Sequence, residues 1–272
     1  MSLVHDTWPS ATIARLLLGD QLHQLRAARR LTLQTVARAT YLSESKLSRI
    51  ECGRHRAAPA DIQRLIDLYE APGALRGQLL KWAARAQGRS VYHSFGDVTD
   101  AALRDYLDVE PWAVRAVYAP RVIPAVLQTR RYARELLAEA SQAEGERRLW
   151  LLALRQQHFA RRGGPPVRVL LGEGALTSRI GGPEVMREQA ARLREADGLG
   201  VEIRVLPSPV TALIAPAGAF ALAVLGESGL TMTATEDGAG SPRLVPDRAG
   251  RATARFDQLW NEAAARAIEL AA

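Results

Sequence analysis

The 272-residue sequence predicts two domains of different class: an all-α N-terminal bundle of about five helices, and a C-terminal α+β domain whose small sheet is covered by helices. Three observations lead there. Up to residue 87, apolar residues recur at helical spacing between capping residues. Beyond residue 165, β-rich runs such as PVRVLL and VEIRVLP alternate with amphipathic stretches. Charge is divided the same way: residues 1–90 hold 14 Lys+Arg against 7 Asp+Glu, whereas residues 91–272 hold 22 of each. The whole net charge of +7 thus sits in the first third, the distribution expected of a polyanion-binding module joined to a neutral domain. The expected boundaries are 1–87 for the bundle, 88–98 for a linker without clear period, and 99–272 for the second domain.

Ser10 is a candidate N-cap for ATIARLLLGDQLHQLRAARR, in which Ile13, Leu16, Leu17, Leu22 and Leu25 share a face. That segment is one long helix or two joined at Gly19. Thr32 caps a second helix, LQTVARA, with Leu33, Val36 and Ala37 as its buried stripe. Thr40, Tyr41 and Leu42 break the period, and Ser43 caps ESKLSRIE, which stops near Gly53. Pro59 suits a first helical turn and opens ADIQRLIDLYE, with Ile62, Leu65, Ile66 and Tyr69 on one side. A fifth helix spans Ala74 to Gln87. In the second domain, DAALRDYLDVEPWAVRAVYAP reads as a helix turning into an extended piece. YARELLAEA, ERRLWLLALRQQHFARR and PEVMREQAARLREADG read as helices, and GAFALAVLG with GLTMTATE as a strand pair around Glu227 and Ser228. RATARFDQLWNEAAARAIEL closes the chain as a helix.

Composition narrows the function classes. No run of eighteen apolar residues exists and MSLVHDTWPS lacks the features of a secretory signal, so a cytoplasmic protein with no membrane partner is expected. Cys52 is the single cysteine, and His5, His23, His55, His93 and His158 are too scattered for a zinc pattern; neither a metal nor another cofactor is expected. Cys52 also lacks a second cysteine for a redox switch. LLGEGALTSRIGG matches no phosphate-binding glycine pattern, LGESGL is not a nucleophile elbow, His158 has no evident link to Ser228 or Glu227, and TEDG reads as a turn. No catalytic residue is predicted, and the second half is not expected to be an enzyme.

Two short helices joined by a three- or four-residue turn inside such a bundle make a helix-turn-helix arrangement. Ala37 is small where the two helices would cross, Val36, Leu47 and Ile50 fill the shared core, and Ser43 caps the third helix. With Leu47 and Ile50 inward, Glu44, Ser45, Ser48 and Arg49 fall on outer faces. Their chemistry suits base edges in a major groove: Arg49 can donate twice to guanine, Glu44 can accept from cytosine, and the serines serve either role. Gln34, Ser43, Lys46, Arg54 and Arg56 are placed for phosphate contacts that fix register. Glu51, beside phosphates, needs a cationic partner in the bundle, Arg38 being one candidate.

QTVARATYLSESKLSRIECGRHRAAPADIQRLIDLY resembles the DNA-binding domain of Xre-family, lambda-repressor-like regulators, through Val36, Ala37, Ser43, Ser45, Leu47, Ser48, Arg49, Ile50, Glu51 and Gly53. YAPRVIPAVLQTRRYARELL, VRVLLGEGALTSRIGGPEVMREQAARL and VEIRVLP followed by GAFALAVL resemble the second domain of WhiJ-like, antitoxin-like actinobacterial regulators. The resemblance implies a sequence-specific transcription regulator that binds double-stranded DNA, with a second domain that holds a small partner protein. A second copy of the chain, or a small-molecule ligand near Trp112, Trp150 or Phe220, is the other expected occupant. Homodimerisation is expected, because two half-sites multiply the specificity of one short reading helix. The alternative is an antitoxin-like protein acting mainly by capturing a small partner. Tyr41 stands where the family often has glycine, which implies strain if the turn needs a positive φ, and Ala125 replaces a second common glycine. The tryptophans are otherwise expected in the core.

Overall fold

The computed structural model describes residues 10–161, 166–208, 218–225, 229–236 and 242–263. The chain divides into two compact units, Met1–His93 and Ser94–Ala272, so the division falls inside the expected linker. That stretch contains a 3-10 turn, His93–Phe95, and its Tyr92 and Phe95 are buried.

The first unit is all-α, with helices α1 (Ala11–Ala28), α2 (Leu33–Thr40), α3 (Glu44–Glu51), α4 (Pro59–Leu68) and α5 (Gly73–Arg85). Ser10, Thr32 and Ser43 each accept a hydrogen bond from the backbone N–H three residues on, and Pro59 opens α4. Each cap satisfies a donor that the first helical turn leaves without a partner. The alternative left open at Gly19 resolves into one continuous helix. A shared core gathers Leu22 from α1, Val36 from α2, Leu47 and Ile50 from α3, Ile62 and Leu65 from α4, and Leu79 from α5. The expected second stripe is only partly sealed: Val36 is fully buried, while Leu33 and Ala37 pack against the core half-buried.

The second unit contains helices α6 (Ala101–Ala113), α7 (Arg130–Leu136), α8 (Gln142–Ala160), α9 (Glu173–Thr177), α10 (Gly182–Arg194) and α11 (Arg251–Glu262). Its strands are β1 (Val114–Ala119), β2 (Val167–Gly172), β3 (Val201–Leu206), β4 (Phe220–Leu225), β5 (Leu230–Glu236) and β6 (Pro242–Pro246), in the order β3-β2-β1-β4-β5-β6. Neighbours are parallel on the β3-β2-β1 side and antiparallel from β1 through β4 and β5 to β6. The sheet is therefore mixed, with six strands among the described residues. β6, bounded by Pro242 and Pro246, lacked a sequence signal because proline reads against a strand even though an edge tolerates it.

Phe256, Leu259 and Trp260 of α11 pack on Ala116, Tyr118, Leu170, Leu206, Phe220 and Leu222 of the sheet. Phe220 lies 5.6 Å from Tyr118 and 6.3 Å from Phe256 between ring centroids, in an aromatic core. Two buried polar links order the remaining helices. Gln189 of α10 accepts from the Thr129 N–H at 2.7 Å and donates to the Leu127 carbonyl at 2.8 Å. Arg155 of α8 grips Glu110 of α6 through two hydrogen bonds of 2.8 and 3.0 Å. Ala125 sits in a 3-10 turn, Ala125–Leu127, and is not among the residues with positive φ, so the glycine expected there is not needed. Glu227 and Ser228, His5 and the tail beyond Ala263 lie outside the described residues. Trp112 and Trp150 are 42% and 63% exposed, which corrects the expectation that they are core.

Candidate nucleic-acid interface

The candidate interface is the outer side of α3 with the turns that flank it. Leu47, Ile50 and Glu51 are buried, and Glu44, Ser45, Ser48 and Arg49 are exposed together. The eight-residue helix begins at Ser43, whose Oγ accepts from the Lys46 N–H at 3.2 Å. Used as a cap, that oxygen still has a hydroxyl proton to give to a phosphate. The helix ends in a Schellman motif: the Gly53 N–H donates to the Ile50 carbonyl at 2.9 Å and the Arg54 N–H to the Arg49 carbonyl at 2.7 Å. Gly53 has φ +66°, and a Cβ there would come within 2.7 Å of the Leu16 side chain, so both backbone and space require glycine. The Arg15 guanidinium donates to the Gly53 carbonyl from α1.

Two buried carboxylates hold the helix in place. Glu51 receives Arg26 Nε at 2.6 Å, Arg26 Nη2 at 2.8 Å and lies 2.8 Å from His23 Nδ1. Its partners are therefore Arg26 and His23 of α1; Arg38, the candidate named from sequence, is exposed. Burial alone would push the Glu51 carboxyl up, but the hydrogen bonds and charges of Arg26 and His23 outweigh it and hold the group below the usual carboxylate range. Burial, and then the Glu51 charge, raises the Tyr69 hydroxyl well above its ordinary value. Asp61 of α4, also buried, receives Lys46 Nζ at 2.6 Å and Arg64 Nη2 at 2.5 Å. Lys46, expected at a phosphate, is thus ion-paired to α4 and braces the helix.

Gly19 supplies a link that spacing alone did not show. A Cβ there would overlap the Ile50 carbonyl oxygen and come within 2.9 Å of that of Glu51. α1 and the last turn of α3 thus approach each other backbone to backbone at Gly19.

The other expected contact residues surround this braced helix. Gln34, on α2, and Arg54 and Arg56, in the turn after α3, are exposed. Arg49 Nε rests on the Ser45 carbonyl at 3.3 Å, leaving its guanidinium at the surface. His55 is half-buried, and burial followed by the Lys46 and Arg49 cations pushes its pKa down. Tyr41, between α2 and α3, is left-handed with φ 58° and ψ 26°, and 92% exposed. The positive φ anticipated from the family's glycine is present, and a tyrosine bears it.

Residues 103–271, more than half of the sequence, match the model of a domain of unknown function, DUF5753. The chain belongs to the DUF5753 family. Residues 17–79 match the model of a helix-turn-helix domain, which covers the last part of α1 through most of α5. This DUF5753 protein therefore joins its family domain to a helix-turn-helix domain, which supports a DNA-binding regulator. No curated protein and no solved structure gives a significant match. Among the described residues no helix is long and apolar enough to cross a membrane, and no three His, Cys, Asp or Glu groups are placed to hold a metal ion.

Proposed function

We propose that this DUF5753 protein is a cytoplasmic, sequence-specific transcription regulator of the lambda-repressor-like type, which places α3 in the major groove of double-stranded DNA. One observation carries the reading. α3 exposes Glu44, Ser45, Ser48 and Arg49 on a helix whose buried residues are locked by Glu51 to α1 and whose Lys46 is locked to α4. A reading helix must be held rigidly to present its side chains in register, and ion pairs with two neighbouring helices do so. Gln34, Ser43, Arg54 and Arg56 contact phosphates on either side of the reading face. The protein acts as a homodimer with paired half-sites, and its second domain is not an enzyme but the oligomerisation or partner-binding part of the regulator.

Salt dependence of binding tests the assignment. Each phosphate contact contributes about 0.9 to the slope of log affinity against log salt. Arg54→Ala with Arg56→Ala should lower the slope by about 2 per protomer and weaken binding to all sequences alike. Lys46→Ala should reduce thermal stability and leave the slope nearly unchanged. A slope indifferent to the arginine pair would reject the phosphate assignment, and a flat slope in the parent protein would reject DNA binding.

A further inference from the structure

Among the described residues Arg30, Tyr41 and Glu70 are the residues other than glycine with a positive φ. Glu70 uses its side chain in an ion pair with Arg29 at 2.8 Å, and Arg30 is an exposed cation that water solvates well. Tyr41 has no such use. Its ring is 92% exposed, the most of any large apolar side chain described, and it makes no hydrogen bond, ion pair or ring contact with the described residues. The backbone beneath it is nonetheless fixed. Thr40 and Leu42 on either side are buried, so the chain turns the Tyr41 side chain outward. The Thr40 hydroxyl donates to the Val36 carbonyl at 2.7 Å, and the Thr40 carbonyl accepts from Arg64 Nη1 at 3.1 Å. Arg64 is in turn held by Asp61, the carboxylate that also binds Lys46 of α3. The peptide that precedes Tyr41 is thus tied to the same ion pairs as the reading helix, and Tyr41 stands two residues before its exposed cap, Ser43. A strained backbone persists where its surroundings over-determine it, and such residues cluster at ligand contacts.

We infer that the Tyr41 hydroxyl donates a hydrogen bond to a phosphate oxygen of DNA, on the backbone beside the groove that α3 enters. This rests on the DNA-binding reading above and adds to it a contact that carries no charge. A phenol suits the role: it has one O–H to give, and its ring turns about only two bonds, so docking orders little. Tyrosine is among the side chains that hydrogen-bond phosphate oxygens in protein–DNA interfaces, where they fix register without reading sequence. Glycine at this position would relieve the left-handed strain but could not reach a phosphate. Stability and binding therefore make opposite demands on residue 41, and the tyrosine serves binding.

Binding of the full chain to short duplex DNA of random sequence, followed by fluorescence anisotropy at low salt, tests the inference, because a phosphate contact does not depend on sequence. Tyr41→Phe keeps the ring and the backbone and removes only the hydroxyl. It should weaken binding about tenfold, the effect of losing a hydrogen bond to a charged group, and leave the denaturation midpoint unchanged. A neutral hydroxyl displaces no counterion, so the salt slope should stay that of the parent protein, unlike that of the arginine pair. Tyr41→Gly should weaken binding at least as much while raising the denaturation midpoint. A Tyr41→Phe variant that binds like the parent protein, or whose salt slope falls, would overturn the contact and leave the DNA reading standing. So would a Tyr41→Gly variant that binds as tightly as the parent protein or more tightly. A parent protein that does not bind the duplex would overturn the DNA reading and this contact together.

Discussion

At the scale of single residues, Tyr41 shows a local cost that the fold accepts. A left-handed backbone costs a side-chain-bearing residue about 1 to 2 kcal/mol, and the ring at this site is almost wholly solvated. Tyr41→Gly should therefore raise the unfolding free energy of the first unit by about 1 kcal/mol, measured by denaturant titration. Glu51 shows the opposite economy. Removing Arg26 leaves a carboxylate in the core, so Arg26→Ala should cost about 3 to 5 kcal/mol, whereas Arg26→Met with Glu51→Met should cost much less. The pH dependence follows from the sign of the shift. A carboxyl whose folded pKa is depressed stabilises above its unfolded value of about 4.3 and loses that contribution as pH falls through the folded value. Acid unfolding monitored by circular dichroism should be shallower in the double methionine variant below about pH 4.3.

At the scale of elements, the helices were legible because their ends carry chemistry. Ser10, Thr32, Ser43 and Pro59 stand where the structure places helix starts, and the glycine at 53 ends α3 with positive φ. What was not legible is what distant segments do to one another. Glu51 is 25 residues from Arg26 and 28 from His23, and no spacing rule joins them. The Lys46 ion pair was hidden in the same way, because Asp61 lies a helix away. β6 was hidden by its prolines, and α9 is only 5 residues long. Gly19 looked like a break in a helix, yet it is the contact point of α1 and α3. Gly19→Ala should gain helix propensity in α1 but lose more by forcing α3 away; net destabilisation, read from the thermal midpoint, is the expected outcome.

At the scale of the whole molecule, charge and architecture agree. The net positive charge lies in the residues that form the helix-turn-helix unit, while residues 91–272, which include the DUF5753 match, are balanced. In the proposed function, electrostatic attraction to phosphate supplies affinity, and choice of sequence is the part assigned to the four exposed side chains of α3. Arg49 is the one able to make a bidentate contact with guanine, worth about 1 to 3 kcal/mol of discrimination. The direct measurement is to select bound fragments from the source genome, then compare the parent protein with Arg49→Ala on the selected site and on each of its single-base variants. An enriched common sequence is expected and, in the variant, lost preference at one base pair per half-site with the salt slope intact. No enriched sequence, or a variant weakened equally on every sequence, would contradict it.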